Sequence, residues 1–257
     1  MEITRGSRLL NRFKVIGSLG GGTSGTSFLA HDAKLSDKLV VLKSLPQNIS
    51  AEAKQIIKEK VFYAAQLNCE CLANVITFID SPELTAICYE FVEGYSLQDL
   101  HAHRPIADAD LAAILYQECL ALETLHSIGI FGLDLSPSRI LLTKDGQVKI
   151  TDWLTPEFDS QARDAIAADI WTIGYQVIQL RDEVAFQVDA DTLLNQVIAK
   201  CLQNDPKNNF ADLAQLKNSL AKVAERLNAW GPTKATTFNA AMAVYMLGLI
   251  GFFYALN

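Results

Sequence analysis

Two short stretches near the start of the chain carry residues that could bind phosphate. Gly20, Gly22 and Gly25 lie close together in LGGGTSGTSFLA. Because glycine has no Cβ, backbone N–H groups in such a stretch can approach a phosphate group closely. Further on, VVLK ends on Lys43, a single cation in an apolar, strand-like segment, and a half-buried cation needs an anionic partner. The glycines could also form a hairpin tip that binds nothing.

A third stretch, GIFGLDLSPSRILL at residues 129–142, places one acidic residue, Asp134, between apolar flanks. This pattern has the shape of a loop that presents a catalytic carboxylate. Whether such a site works depends on the neighbouring side chains, which must stabilise the charge that develops during a reaction. A structural role is the alternative, because Asp134 could accept hydrogen bonds from N–H groups of its own loop.

The elements that would position these residues change character along the chain. Alternating apolar residues flank the glycines and predict a hairpin, and KLVVLKSL, NVITFIDSP and LTAICYEFVEG read as strands. Residues 50–67 have helical spacing, with Ser50 as the N-cap. The later part is mostly helical, interrupted by the short strands RILLTKD and QVKITDW. We predict an α+β chain with a small β-rich lobe at about 12–93 and a larger helical lobe at about 96–228.

Composition limits the classes of function. The chain has 257 residues, and 50% of them are hydrophobic, which is enough for one large domain or for two lobes that share an interface. The net charge is −7 and no dense run of lysine and arginine occurs, which argues against a nucleic-acid partner. The odd number of cysteines, five, without a regular framework is typical of a reducing compartment.

One pair of cysteines, Cys69 and Cys71, flanks Glu70. A zinc site would need further ligands close to this pair, and the four histidines of the chain do not cluster with it in sequence. We therefore predict two small side chains that pack in a turn rather than a metal site.

The C-terminal stretch differs from the rest of the chain. Residues 238–256, FNAAMAVYMLGLIGFFYAL, carry no charge, and a helix of about 20 apolar residues can span the hydrocarbon core of a bilayer. Residues 229–237 read as a linker that follows a domain over residues 1–228. We predict a single C-terminal transmembrane anchor, with Lys222 and Arg226 on the cytoplasmic side of the membrane. A buried terminal core helix is the alternative, although such a helix usually has a polar face.

Taken in order over about residues 12–220, these motifs resemble those of the protein kinase family, especially its bacterial Ser/Thr branch. The resemblance implies a two-lobed protein-kinase-like fold, with ATP as the nucleotide and Mg²⁺ as its metal ion. The glycine motif would cover the phosphates of ATP, and Lys43 would contact the α- and β-phosphates. Tyr89 takes the gatekeeper position in AICYEFVEGYSL, and backbone groups from Glu90 to Val92 would bind adenine.

The family's lysine has a glutamate partner on the helix that follows its strand. In this chain the alignment of KVFYAAQLN places Lys60 in the glutamate's position, with Glu59 one residue away. One residue corresponds to a rotation of about 100° around a helix. Either the helix is turned or the ion pair between Lys43 and a helix glutamate is missing.

The loop around Asp134 keeps only part of the family pattern H-R-D-L-K-P-x-N. The aspartate, which is the family's catalytic base, is retained. The family's His, Arg, Lys and Asn are replaced, in that order, by Gly132, Leu133, Ser136 and Arg139. An asparagine oxygen can bind Mg²⁺, whereas a guanidinium has no acceptor and is positively charged. Arg139 could pair with Asp152 or a phosphate and so replace a cation in part; an ordinary structural ion pair is the alternative.

The next motif also departs from the family. Asp152-Trp153-Leu154 stands where the family has D-F-G, so the carboxylate expected to bind Mg²⁺ is kept and the flexible glycine is lost. Thr155-Pro156-Glu157 resembles the A-P-E motif. Since A-P-E follows almost at once, the loop on which an active kinase holds its peptide substrate is nearly absent.

These replacements affect phosphate transfer more than nucleotide binding. We therefore expect a pseudokinase that binds ATP and acts as a scaffold or regulator for a protein partner in signalling, tethered to the cytoplasmic face of a membrane. One alternative is an atypical active Ser/Thr kinase, with Asp134 as base, Asp152 as metal ligand and Lys43 as phosphate clamp. Another alternative is an interaction module that binds no nucleotide.

Overall fold

The N-terminal part of the structure, a computed structural model, is a six-stranded antiparallel sheet in the order β1-β2-β3-β4-β6-β5. The described residues are 3–22, 25–46, 48–103, 105–154, 162–181, 192–203 and 207–227. The strands are β1 (Arg8–Leu9), β2 (Phe13–Gly22), β3 (Gly25–Asp32), β4 (Lys38–Ser44), β5 (Val75–Asp80) and β6 (Thr85–Glu90). A short 3₁₀ turn, Ala33–Leu35, connects β3 to β4.

Alternating burial explains the face that this sheet presents to its core. Phe28 and Ala30 in β3 are buried, as are Val40 and Leu42 in β4, because side chains two residues apart lie on the same face of a strand. These residues belong to one apolar cluster, which fixes the register of the strands that carry the glycines and Lys43.

Helix α1 (Ala51–Ala64) packs against β5. Its first turn is capped by Ser50, whose Oγ accepts a hydrogen bond from the backbone N–H of Ala53 at 3.1 Å. Ile57, Val61 and Ala64 form its buried stripe, at the spacing expected for one face of a helix. Both the helix and its cap confirm the pattern seen in the sequence.

The C-terminal part consists mainly of helices around a small antiparallel sheet, β7-β8-β9. Its helices are α2 (Leu97–His103), α3 (Asp108–Ser127), α4 (Ala162–Leu180), α5 (Leu193–Cys201) and α6 (Leu213–Arg226), and its strands are β7 (Gly94–Ser96), β8 (Ile140–Thr143) and β9 (Val148–Ile150). Helix α3 packs against α6, α4 and β9. A large apolar cluster centred on α3 extends to α1 and Tyr89, so one core joins both parts of the structure.

The predicted division into a β-rich and a helical part is confirmed, with two differences in detail. Strand β7 was not predicted, because three residues become a strand only by pairing with β8, which lies far away in sequence. Helix α4 begins at Ala162, six residues before the start of the helical pattern at ADIWTIG.

The predicted linker at 229–237 and membrane span at 238–256 lie outside the described residues. Among the helices that the structure describes, none combines the length and the apolar character needed to cross a bilayer.

Candidate active site

A cleft of about 600 Å³ lies between the two sheets. Its upper wall comes from β2, β3, β4 and β6, and its lower wall from β7, α2 and the segments next to β8 and β9. Eight residues singled out in the sequence line it: Gly20, Gly22, Lys43, Tyr89, Glu90, Val92, Arg139 and Asp152. The fold therefore brings residues from five separate parts of the chain to one cavity.

Two other predicted residues, Gly25 and Asp134, do not line this cleft. Gly25 has a φ of +119°, and a Cβ at this position would lie 1.8 Å from the carbonyl oxygen of Ser44. No other residue could fit so close to the backbone of β4. Glycine is thus required here by strand packing, whether or not phosphate is bound nearby.

Lys43 is 5% exposed, and its Nζ lies 2.6 Å from Oδ2 of Asp152. Asp152 has a φ of +53°, a backbone conformation that is uncommon for residues other than glycine. Its Oδ1 is buried and has no hydrogen-bond partner among the residues that the structure describes. A ligand that donates a hydrogen bond or carries positive charge could satisfy this oxygen.

Glu59 does not line the cleft. Its side chain is at the surface, where its Oε1 accepts a hydrogen bond from Nε2 of Gln55 at 2.8 Å. Lys60, which holds the expected glutamate's position, is partly buried, and this burial lowers the pKa of its ammonium group. Asp152 is therefore an acidic partner of Lys43, and helix α1 contributes no glutamate through Glu59.

Arg139 joins the two aspartates of the site. Its NH2 atom lies 3.1 Å from Oδ2 of Asp134, and its NH1 atom lies 4.0 Å from Oδ2 of Asp152. NH1 also donates a hydrogen bond to the carbonyl oxygen of Asp152 at 3.3 Å. The backbone of Arg139 is held as well, since its carbonyl oxygen accepts hydrogen bonds from the N–H and the hydroxyl of Thr151. A fixed guanidinium thus occupies the space between the two carboxylates.

This arrangement does not fit a divalent cation held jointly by residues 139 and 152. Arg139 offers no acceptor atom and adds positive charge beside Asp152, whose other neighbour, Lys43, is also a cation. Two positive unit charges 4 Å apart repel each other by about 4 kcal/mol at an effective dielectric constant of 20, and this repulsion opposes a metal ion beside these two side chains. The same positive charges do fit the anionic phosphates of a nucleotide.

Asp134 lies on the exposed side of this cluster, with 56% of its side chain accessible. Its Oδ1 accepts a hydrogen bond from the backbone N–H of Ser136 at 3.0 Å, and its Oδ2 faces Arg139. Both of its oxygens therefore have partners from its own loop. The structural alternative for Asp134, in which its carboxylate accepts a hydrogen bond from an N–H group of its own loop, agrees with this contact.

A residue not proposed as part of the site, Asp169 in α4, shapes this loop. It is fully buried and accepts hydrogen bonds from the backbone N–H groups of Gly132 and Leu133, at 3.0 and 2.8 Å. Nε2 of His126 lies 2.8 Å from the same carboxylate. A sequence signal for this residue exists, because Asp169-Ile-Trp171-x-x-Gly174 resembles the D-x-W-x-x-G motif with which the corresponding helix of the protein kinase family starts.

The rear of the cleft is closed by Tyr89. The Tyr89 hydroxyl donates a hydrogen bond to the carbonyl oxygen of Leu154 at 3.4 Å and accepts one from its N–H at 3.3 Å. Burial raises the pKa of this phenol well above its ordinary value. Trp153 packs edge-on against the Tyr89 ring and donates from Nε1 to the carbonyl oxygen of Ala73 at 2.9 Å. The residues after Asp152 are therefore held in the core.

The carboxylate of Glu90 is bound by other residues of the chain. It accepts hydrogen bonds from Nζ of Lys149 at 2.8 Å and from the backbone N–H of Asn74 at 3.0 Å. Lys149 donates in addition to the carbonyl oxygen of Leu72 at 3.1 Å. These contacts fix the segment between the two sheets, next to Val92 in the cleft wall. Backbone groups of this segment remain the predicted contacts for adenine.

The geometry of the cleft agrees with what sequence comparison finds. The family model of the protein kinase domain matches residues 13–154, which is more than half of the chain. The chain belongs to the protein kinase family. The A-P-E-like residues Thr155-Pro156-Glu157 lie outside the described residues, so the shortened loop stays a prediction.

Curated relatives of this kinase-family chain include Ser/Thr protein kinases of fungi and bacteria. Serine/threonine-protein kinase CST20 of Candida albicans is 27% identical over 187 residues, covering 63% of this chain and 15% of CST20. The probable serine/threonine-protein kinase PknB of Lactococcus lactis is 22% identical over 266 residues, covering 84% of this chain and 42% of PknB. The chain thus spans less than half the length of these relatives.

A solved structure shows the same fold. The kinase domain of Mycobacterium tuberculosis PknI has a TM-score of 0.68 with 18% sequence identity, and the match covers 87% of this chain and 100% of the PknI chain. The two-lobed protein-kinase-like architecture predicted from the motifs is therefore confirmed for the described residues.

Proposed function

We propose that this protein is a pseudokinase, which binds ATP in the cleft and regulates or assembles a protein partner instead of transferring phosphate efficiently. The observation that carries this proposal is the position of Arg139 between Asp134 and Asp152. A kinase transfers phosphate by positioning its substrates and stabilising charge, largely with Mg²⁺. A guanidinium in the place of a metal ligand removes part of that stabilisation.

Retention of nucleotide binding is supported by the charges and shape of the cleft. Lys43 and Arg139 both line it next to Asp152 and provide two cations, and the backbone at Gly20 to Gly22 forms part of its upper wall. Gly20 has a φ of +133°, a conformation that favours glycine and leaves the loop without a side chain that would block a phosphate.

Thermal unfolding of the full chain with ATP tests this function directly. We expect ATP to raise the melting temperature in EDTA as well as in Mg²⁺, because Lys43 and Arg139 supply the positive charge themselves. A ligand at about 100 times its Kd adds roughly 2.7 kcal/mol, which corresponds to several degrees for a domain of this size.

Lys43→Ala should abolish this shift, while Lys54→Ala is a matched control. Lys54 pairs with Asp80 at the surface of the same lobe, at 2.8 Å. No shift at millimolar ATP in the wild-type chain would refute nucleotide binding and favour an interaction module with an empty cleft.

An atypical active kinase is a second candidate, favoured by the accessible carboxylate of Asp134 and by the Lys43–Asp152 pair. Transfer of labelled phosphate to any acceptor, lost in both Asp134→Asn and Asp152→Asn, would establish this candidate and overturn the pseudokinase. Labelling that persists in both variants would identify a contaminating kinase. Membrane tethering through residues 238–256 is a further part of the proposal and is tested separately below.

A further inference from the structure

A second cleft, of about 650 Å³, lies beside α3 and shares no lining residue with the first. Among its lining residues are Cys69 and Cys71, together with Thr124, Glu123 and Gln147. Neither thiol is part of a disulfide. Within the described residues, no group of three His, Cys, Asp or Glu side chains is placed to hold a metal ion. The pair is therefore better suited to thiol chemistry than to metal binding.

The two thiols lie on one turn of the backbone and line the same cleft. The turn is closed by the N–H of Leu72, which donates to the carbonyl oxygen of Cys69 at 3.2 Å. Consecutive Cα atoms are about 3.8 Å apart, so a turn brings residues two apart within the Cα separations of roughly 4.4–6.8 Å that disulfides usually have. The turn can bring the sulfur atoms into bonding geometry without a large movement of the backbone.

The two thiols also differ in environment. The hydrogen bond with Cys71 lowers the pKa of Cys69 to about 6, with help from Thr124 and the charge of Lys149. The same hydrogen bond, together with burial and the charge of Glu70, raises the pKa of Cys71. Cys71 is 5% exposed and receives a hydrogen bond from Nε2 of Gln147 at 3.3 Å, while Cys69 is partly open to the cleft. Cys69 is therefore both the more accessible and the more acidic of the two thiols.

We propose that Cys69 and Cys71 form a peroxide-reactive dithiol site, in which Cys69 is the attacking thiolate and Cys71 the resolving thiol. The sulfur of Cys69 attacks one oxygen of hydrogen peroxide, the O–O bond breaks, and hydroxide leaves, which gives a sulfenic acid at Cys69. The sulfur of Cys71 then loses its proton and attacks the Cys69 sulfur. The S–O bond breaks, water leaves, and an intramolecular disulfide forms while peroxide is reduced to water.

To test this proposal, the reduced full chain is treated with hydrogen peroxide, and its disulfides are identified by peptide mapping under non-reducing conditions. We expect the disulfide between Cys69 and Cys71 to form before any change at Cys88, Cys119 or Cys201. These three thiols are buried, and burial raises their pKa. Loss of thiols without this disulfide, or oxidation of the buried cysteines at an equal rate, would overturn the proposal.

Trapping of the intermediate assigns the two roles. In Cys71→Ser, dimedone should label Cys69 after peroxide treatment, whereas Cys69→Ser should give no label at Cys71. Cys88→Ser is the matched control and should form the disulfide as the wild type does. Label on Cys71 and not on Cys69 would refute the assigned roles.

Alkylation by iodoacetamide gives an independent readout on the wild-type chain. Its rate at Cys69 should level off above about pH 6. At pH 6 it should exceed that of an ordinary thiol by about tenfold, since the gain in thiolate outweighs the lower nucleophilicity of a more acidic thiol. A rate that keeps rising to pH 8.5 would contradict the proposal.

Discussion

Arg139 is the residue on which the proposed loss of phosphate transfer depends. It is held by its backbone contacts with Thr151, and its side chain reaches Asp134 and the backbone of Asp152. A flexible surface arginine would gain little from such pairs, but here only 23% of the side chain is exposed. The residue is therefore part of the site rather than of the surface.

Replacement of Arg139 by asparagine should make nucleotide binding depend on Mg²⁺. The substitution removes the positive charge and introduces an oxygen that can bind the ion. We expect the Kd for ATP to fall by about tenfold on adding Mg²⁺, or about 1.4 kcal/mol, whereas the wild-type value should change little.

Titration calorimetry with Mg²⁺ and with EDTA measures the Kd for ATP of the variant and of the wild type under both conditions. Arg139→Lys, which keeps the charge, is the control. An equal effect of Mg²⁺ on the wild type and Arg139→Asn would contradict the role given to the guanidinium.

At the scale of secondary-structure elements, α3 and α4 support the loop that carries Asp134. Asp169 in α4 bonds to two backbone N–H groups of that loop and to His126 in α3. Gly132 has a φ of +69°, which suits the sharp bend that lets its N–H reach α4. The loop therefore takes its shape from helix packing and not from its own sequence alone.

Asp169→Ala should destabilise the protein by about 3 kcal/mol, because it leaves two buried N–H groups without an acceptor and removes the partner of His126. Denaturation in urea measures this loss. Asp80→Ala is a matched control, since it breaks a surface pair with Lys54 in which 48% of the aspartate side chain is exposed. Its effect should stay within about 0.5 kcal/mol, and an equal loss in both variants would argue against the proposed support.

Helix α3 also contains a fully buried acid, Glu118. Burial raises the pKa of its carboxyl to about 8 from an ordinary value of 4.5, and the amide of Gln176 in α4 opposes this rise only in part. Below about pH 4.5 the carboxyl is protonated in both the folded and the unfolded chain. Between that pH and about 8, the unfolded chain releases a proton that the folded chain keeps, so stability falls as pH rises.

Glu118→Gln should remove this loss, because the amide has nearly the same shape and never ionises. The difference in free energy of unfolding between variant and wild type should grow by up to about 1.4 kcal/mol per pH unit in this window, in favour of the variant. Urea denaturation at pH 5, 6 and 7 tests the slope. A difference independent of pH would show that Glu118 is not protonated in the folded protein.

At the scale of the whole molecule, one apolar core joins the two lobes through α1, α3 and Tyr89. Trp153 and Leu154 belong to the same core, so the segment after Asp152 is bound to both lobes. The positions of Trp153 and Leu154 are therefore fixed by packing against residues of both lobes.

Removal of residues 229–257 should release the protein from membranes. The apolar stretch 238–256 is long enough to span a bilayer, while none of the described helices combines such a length with sufficient apolar character. After expression and cell fractionation, the full chain should remain in the membrane pellet after a carbonate wash, and residues 1–228 should appear in the supernatant. Recovery of the full chain in the supernatant would favour a buried terminal helix over an anchor.

The local elements were predictable because they depend on residues close together in sequence. Ser50 caps α1 and apolar spacing places its buried stripe, and these are interactions within one or two turns. The family was recognisable for a similar reason, since the glycine motif and the segments around Lys43, Asp134 and Asp152 each carry a short signature. The membrane span and the shortened loop, which lie outside the described residues, stay predictions.

The partners of the charged residues were decided by the tertiary structure. Lys43 and Asp152 are 109 positions apart, and whether the lysine met Asp152 or Glu59 depended on how α1 packs beside the sheet. The sequence showed that Arg139 replaces an asparagine, but it left open a phosphate, Asp152 or a surface contact as its partner. Ion pairs over such separations form only after hydrophobic packing has set the positions of the elements, because a single pair contributes too little free energy to position them itself.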